Sequence, residues 1–206
     1  KNKELKEEYI SKVLEKYNID ENKPIILQVS RFDKWKDPIG LISIYKSVKQ
    51  KEDCQLVLVG SMASDDPEGV CVLEDVKEEI KHTKDVYILL NLSDIEVNAI
   101  QRAATVVVQN SIKEGFGLTV TEALWKGKPV VGRPVGGLTL QIIPDKNGFL
   151  IYGAKKRADK IVWLLRNPEK AKIVGNNAKD FVTKRFLMPG RVHDSLLTIK
   201  TMSHIP

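Results

Sequence analysis

The sequence predicts an α/β fold, a doubly wound parallel sheet with helices on both faces. Two observations carry this expectation. Short, nearly continuous apolar runs of strand length alternate with amphipathic stretches of helical spacing, and the runs end in charged or glycine-bearing turns. Strands covered on both faces read as continuous apolar runs, because neither side meets water. The first run is PIILQVS at 24–30, followed by the charged turn RFDKWKDP. Residues 39–50 have helical spacing, QLVLVG at 55–60 is a second run closed by Gly60, and 68–82 again reads as helix. VYILL at 86–90, a helix at 94–103, TVVVQ at 105–109 and a helix opened by Gly115-Phe116-Gly117 continue the alternation. PVVG at 129–132 and GFLIY at 148–152 complete it. Such βαβ units define a Rossmann-like domain.

One domain accounts for the 206 residues: a helical lead-in at 1–20, the core at 24–152 and a helical tail at 154–203. In the tail, NPE at 167–169 marks a helix start and Pro189-Gly190 a break. Hydrophobic residues at 42% and charged residues at 29% fit a packed core under a charged surface and argue against disorder. The net charge of +6 favours an anionic partner, such as a phosphorylated ligand, nucleic acid or an acidic membrane surface. Cys54 and Cys71 have no metal-ligand spacing, and Cys54 leads into an apolar run, so it reads as a small hydrophobe in a reduced, cytoplasmic setting. No apolar run approaches the roughly 20 residues of a membrane-spanning helix. The opening KNKELKEEYISKVLEKY reads as a charged amphipathic helix from within a longer chain, and the usage of Lys, Glu and Ile resembles that of thermophiles.

In a doubly wound sheet, ligands sit beyond the carboxyl ends of the strands. The loop after the first run carries Arg31 and Lys36 beside Asp33 and Asp37, either a diphosphate clamp or a solvated charged turn. The second loop, Gly115-Phe116-Gly117, allows backbone to approach a ligand at a helix start, where N–H groups favour anionic oxygens. Glu114 and Glu122 bracket it with seven residues between them. A carboxylate can hold two adjacent hydroxyls of a sugar or ribose, although an acid near a helix start also serves the dipole. Gly136-Gly137-Leu138 is a third loop or an ordinary turn. Trp35 and Trp125 either stack on a ligand or pack in the core, and His82, His193 and His204 read as surface residues.

Taken together, RFDKWK at 31–36, EGFGLTVTEA at 114–123, GKPVVG at 127–132 and GGL at 136–138 resemble the family-four retaining glycosyltransferases. Within that family QVSRFDKWK, DDPEG at 65–69, EVNAIQRA at 96–103 and TVTEALWKGKPVVG look most like archaeal-type glycosyltransferring trehalose synthases. The resemblance implies a GT-B fold of two Rossmann-like domains, of which this chain is the C-terminal, donor-binding half; the acceptor domain would be absent. It implies that Arg31 and Lys36 neutralise the diphosphate and that Glu114 touches the glucose hydroxyls. Glu122 would hold the ribose. N–H groups around Gly115, Phe116, Gly117, Leu118 and Thr119 would lie near sugar and phosphates, and the base near Asn91, Leu92 and Val97. The implied reaction passes glucose from a nucleoside diphosphate (NDP) to free glucose, with no metal or other cofactor.

Asp37 stands where that family usually has Gly, adding a negative charge beside the clamp, and Ala104-Thr105 stands where an acid is common. A trehalose phosphorylase, another hexosyltransferase of the family and a binding-only fragment stay open as alternatives, as do homodimerisation, peripheral membrane attachment and the donor base. A nucleic-acid-binding domain lacks the expected basic helix and aromatic platform, and a dinucleotide-binding dehydrogenase lacks G-x-G-x-x-G after the first strand.

Overall fold

The computed structural model describes residues 2–61 and 67–186. Along the chain run α1 (Glu7–Lys16), β1 (Ile25–Val29), α2 (Pro38–Lys49), β2 (Gln55–Gly60), α3 (Pro67–Ile80), β3 (Val86–Leu90) and α4 (Asp94–Ala103). They are followed by β4 (Val106–Gln109), α5 (Leu118–Trp125), β5 (Val130–Gly132), α6 (Leu138–Gln141), β6 (Phe149–Leu150), α7 (Ala154–Arg166) and α8 (Pro168–Arg185). The six strands form one parallel sheet in the order β3-β2-β1-β4-β5-β6. The doubly wound, Rossmann-like architecture expected from the alternation is therefore present. β2 and β3 span their apolar runs in full, whereas β1, β4, β5 and β6 are shorter than theirs, β6 keeping two residues of the five in GFLIY.

Alternation along the strands divides the core in two. Ile26, Leu56, Leu58, Val106 and Val108 face one layer with residues of α2, α3 and α7. Ile25, Leu27, Val57, Val59 and Val107 face the other, with α1, α4, α5 and α8. The helices flanking residues 24–152 thus cover the sheet: α1 buries Ile10, Val13 and Leu14, α7 buries Ile161 and Leu164, and α8 buries Ala178 and Val182. Cys54 is fully buried, and burial pushes its thiol up to about 11, consistent with a packing role. Cys71 and His82 are exposed; His193, His204, Pro189-Gly190 and the first two residues of DDPEG, Asp65 and Asp66, lie outside the described residues, while Pro67, Glu68 and Gly69 open α3. No described helix is long and apolar enough to cross a membrane.

Helix starts follow local chemistry. Pro38 opens α2 where its missing N–H costs nothing, and Asp37, at φ 49°, caps it by accepting the Gly40 N–H at 3.0 Å. At α4 the Glu96 carboxylate reaches back to the Ser93 N–H at 2.9 Å. Glu96 also fastens α1 to α4, accepting from Lys16 Nζ at 2.5 Å and from the Tyr17 hydroxyl at 2.8 Å. The Lys16 bond, aided by Ser93, holds the Glu96 carboxyl at about 2, below its ordinary 4.5.

Because the folded value lies below the unfolded one, this stabilisation is complete above about pH 4.5 and is lost as pH falls toward 2. The native chain should melt above Glu96→Gln at about pH 6, and the gap should close between about pH 4.5 and 2.5. A gap that stays constant across that range contradicts the tether.

Candidate functional site

At the carboxyl end of the sheet, the loops after β1 and β4 leave toward opposite layers. The first leads to α2 and the second to α5, which opens a crevice between adjacent strands. Two pockets occupy this region. One, of about 280 Å³, is lined by Ser30, Arg31, Gly60, Asn91, Leu92, Val97, Thr119 and Glu122, among others. The second, of about 460 Å³, is lined by Arg31, Asp33, Trp35, Lys36, Lys113, Glu114 and Gly115. Arg31 borders both.

Sequence-predicted residues that follow three separate strands, β1, β3 and β4, thus meet. Asn91, Leu92 and Val97 share one pocket with Glu122 and Thr119, while Lys36, Glu114 and Gly115 share the other. Phe116, Gly117 and Leu118 line neither. The Phe116 ring packs edge-on against Phe186 with centroids 5.6 Å apart, Leu118 is 69% exposed, and Gly117 is the cap of α5 at φ 84°. Trp35 is partly exposed at the second pocket, with Lys113 Nζ 4.0 Å from its ring centroid. Trp125 packs against the core.

The charged groups are already engaged with one another. Lys36 Nζ donates to Glu114 Oε2 at 2.7 Å, with both side chains largely shielded from solvent. Arg31 stays exposed, its Nη2 3.2 Å from Asp33 Oδ2. The loop carrying Lys36 is held from below: Gln28, in β1, donates to the Lys36 carbonyl at 3.0 Å, and Asp33 accepts the Lys36 N–H at 3.0 Å. Across the crevice the Ile112 N–H donates to the Trp35 carbonyl at 2.7 Å, tying the two loops together.

Asp37 lines neither pocket. Its carboxylate takes the Gly40 N–H, the Asn110 amide at 2.9 Å and an ion pair with Arg133, which offsets its charge. Its left-handed φ also explains why this position suits Gly or a short polar residue. Arg133, like Gln28, Gln101, Gln109 and Ser111, escaped the sequence reading. For Gln28 and Gln109 a signal existed, a polar residue near the carboxyl end of an otherwise apolar strand.

The third loop buttresses the second. The Gly137 N–H donates to the Gly115 carbonyl at 2.7 Å, and the Gln141 amide donates to the Phe116 carbonyl. A Cβ on Gly136, at φ 48°, would run into the Glu114 carbonyl, and one on Gly137 would lie 2.5 Å from backbone of Gly115 and Phe116. Gly136-Gly137-Leu138 is therefore a tight turn opening α6, and its glycines let two backbones touch.

The chain belongs to the group 1 glycosyl transferases, whose family description matches residues 10–181. Among curated proteins it is 50% identical over 192 residues to a trehalose synthase of Pyrococcus horikoshii, covering 91% of this chain and 46% of that protein. It is 44% identical over 200 residues to a trehalose synthase of Rubrobacter xylanophilus, covering 95% and 48%. The chain therefore spans about half the length of these relatives. The crystal structure of a glycosyltransferase from Rickettsia africae superposes with a TM-score of 0.82 at 26% identity, over 98% of this chain and 54% of that one. The domain is thus a glycosyltransferase domain with the Rossmann-like layout of GT-B enzymes.

Close packing between the glycine loops predicts an asymmetric response to substitution. Gly137→Ala should cost about 1–3 kcal/mol in urea unfolding. Gly115→Ala, whose Cβ would meet nothing within 4 Å, should stay within about 0.5 kcal/mol of the native chain. Equal losses at the two positions would contradict the buttress.

Proposed function

We propose that this chain is the NDP-glucose-binding half of a family-four retaining hexosyltransferase, one that transfers glucose to glucose to give trehalose. The observation that carries the reading is the pair of pockets joined at Arg31, one lined by Glu122 and the other by Lys36 and Glu114. A nucleoside fits the first, its ribose hydroxyls on Glu122 and its base near Asn91, Leu92 and Val97. The glucosyl group fits the second, its hydroxyls on Glu114. The diphosphate crosses between them at Arg31 and Lys36, with N–H groups from Gly115 to Thr119 nearby. The 50% identity to a protein named trehalose synthase supports the choice of product.

In this reading the bond between the glucose anomeric carbon and the β-phosphate oxygen breaks. A bond to the anomeric oxygen of the acceptor forms on the same face, and the acceptor proton leaves with the diphosphate. Negative charge develops on the departing diphosphate, so cations aimed there stabilise the transition state more than the ground state. Arg31 offers a planar fork and Lys36 a movable point charge, and side chains rather than a resident metal meet that charge. Lys36 would share its ammonium protons between Glu114 and phosphate. The acceptor glucose would be held by the half of the relatives' length that this chain does not span. Alone, the chain then binds donor weakly and turns over little or nothing.

Calorimetric titration with UDP-, ADP- and GDP-glucose tests the reading. One nucleotide sugar should bind saturably, and Glu122→Ala and Arg31→Ala should each weaken it by about one to two decades. Absence of binding up to millimolar concentration, both here and in a chain extended to the relatives' full length, would sink it.

A further inference from the structure

Among the described residues, both carboxylates assigned to the donor are gripped through one oxygen only. Glu114 Oε2 accepts from Gln109 Nε2 at 2.9 Å, from Ser111 Oγ at 3.2 Å and from Lys36 Nζ at 2.7 Å. Glu122 Oε2 accepts from Gln101 Nε2 at 3.1 Å. None of these bonds uses either Oε1. Gln109 and Gln101 are 1% and 0% exposed, so each amide is fixed by packing, and Gln109 also donates to Ser111 Oγ at 2.9 Å.

Gln101 shows what fixes the geometry. Its Oε1 is buried with no hydrogen-bond partner among the described residues, an arrangement that folding alone disfavours. Turning the amide over would direct that oxygen at the Glu122 carboxylate, so the unpartnered oxygen is the cost of aiming N–H at Glu122. Gln109 meets Glu114 in the same way from the end of β4. A carboxylate has acceptor sites on both oxygens, and Glu122 and Glu114 each line a pocket, so pinning one oxygen leaves the other's acceptor sites for a ligand.

We infer that Gln109 and Gln101 are positioning residues for donor recognition: Gln109 orients Glu114 toward the sugar, and Gln101 orients Glu122 toward the ribose. The inference rests on the donor-site reading above. Orientation by buried neighbours whose own rotamers are locked is what holds a recognition group to fractions of an ångström. Because the two glutamines serve different parts of the ligand, their effects separate.

The experiment measures dissociation constants of the best-bound NDP-glucose and of its parent diphosphate for the native chain, Gln109→Leu, Gln101→Leu, Glu114→Gln and Glu122→Ala. Thermal midpoints establish that each variant is folded. Gln109→Leu should weaken NDP-glucose about tenfold and leave the diphosphate within about threefold, as Glu114→Gln does. Gln101→Leu should weaken both ligands about equally and lose most of its effect in a Glu122→Ala background. If a leucine variant does not fold, Ser111→Ala and Gln101→Asn replace it, with the same pattern at smaller size. If the glutamate variants weaken binding in this pattern and the glutamine variants do not, the positioning inference fails while the donor reading stands. If neither ligand binds the native chain or a chain extended to the relatives' full length, the donor reading fails and takes the inference with it.

Discussion

Parallel pairing of β1 with β4, Ile26 opposite Val106 and Leu27 opposite Val107, is the contact on which the site depends. Thr105 extends it by one step, its hydroxyl accepting the Ile25 N–H at 3.0 Å while its own N–H donates to the Ile25 carbonyl at 2.9 Å. With the two strands adjacent and their following helices on opposite layers, the chain must diverge at their carboxyl ends. That divergence makes the crevice and puts Lys36 within 2.7 Å of Glu114 although 78 residues separate them. The sheet order thus decides which loops meet, and the loops decide the chemistry.

The crevice is organised before any ligand arrives. Gln28 of β1 holds the first loop at the Lys36 carbonyl, the bond from Ile112 to the Trp35 carbonyl laces that loop to the second, and a third braces the glycine loop through Gly137 and Gln141. A buried ion pair such as Lys36–Glu114 adds little net stability, since desolvating both charges offsets their attraction. Its value is positional: a cation and an acceptor are kept at the mouth of one pocket, close to where a diphosphate and a sugar would lie side by side.

Much of this was legible in the sequence because it depends on local pattern. Apolar runs marked every strand, and glycines at 115, 117, 136 and 137 marked the loops that approach other backbone. Non-local pairing was not legible. Asp37, read alone, is a negative charge beside the clamp; the structure pairs it with Arg133, 96 residues away, and makes it a helix cap. Gln101 reads as one more polar residue of an amphipathic helix, and only the fold brings it to Glu122, 21 residues on. Trp35 could have been core; its loop position and Lys113 leave it partly exposed at the pocket instead. In each case the missing information was the sheet order.

Backbone amide shifts followed by NMR during titration with NDP-glucose test the central claim, that one donor spans both pockets. The account predicts saturable shifts with a single dissociation constant, concentrated in residues 30–36, 91–97 and 114–122. Saturable shifts centred elsewhere, such as the hollow beside Leu14, Ile19 and Glu21 at the end of α1, would contradict it.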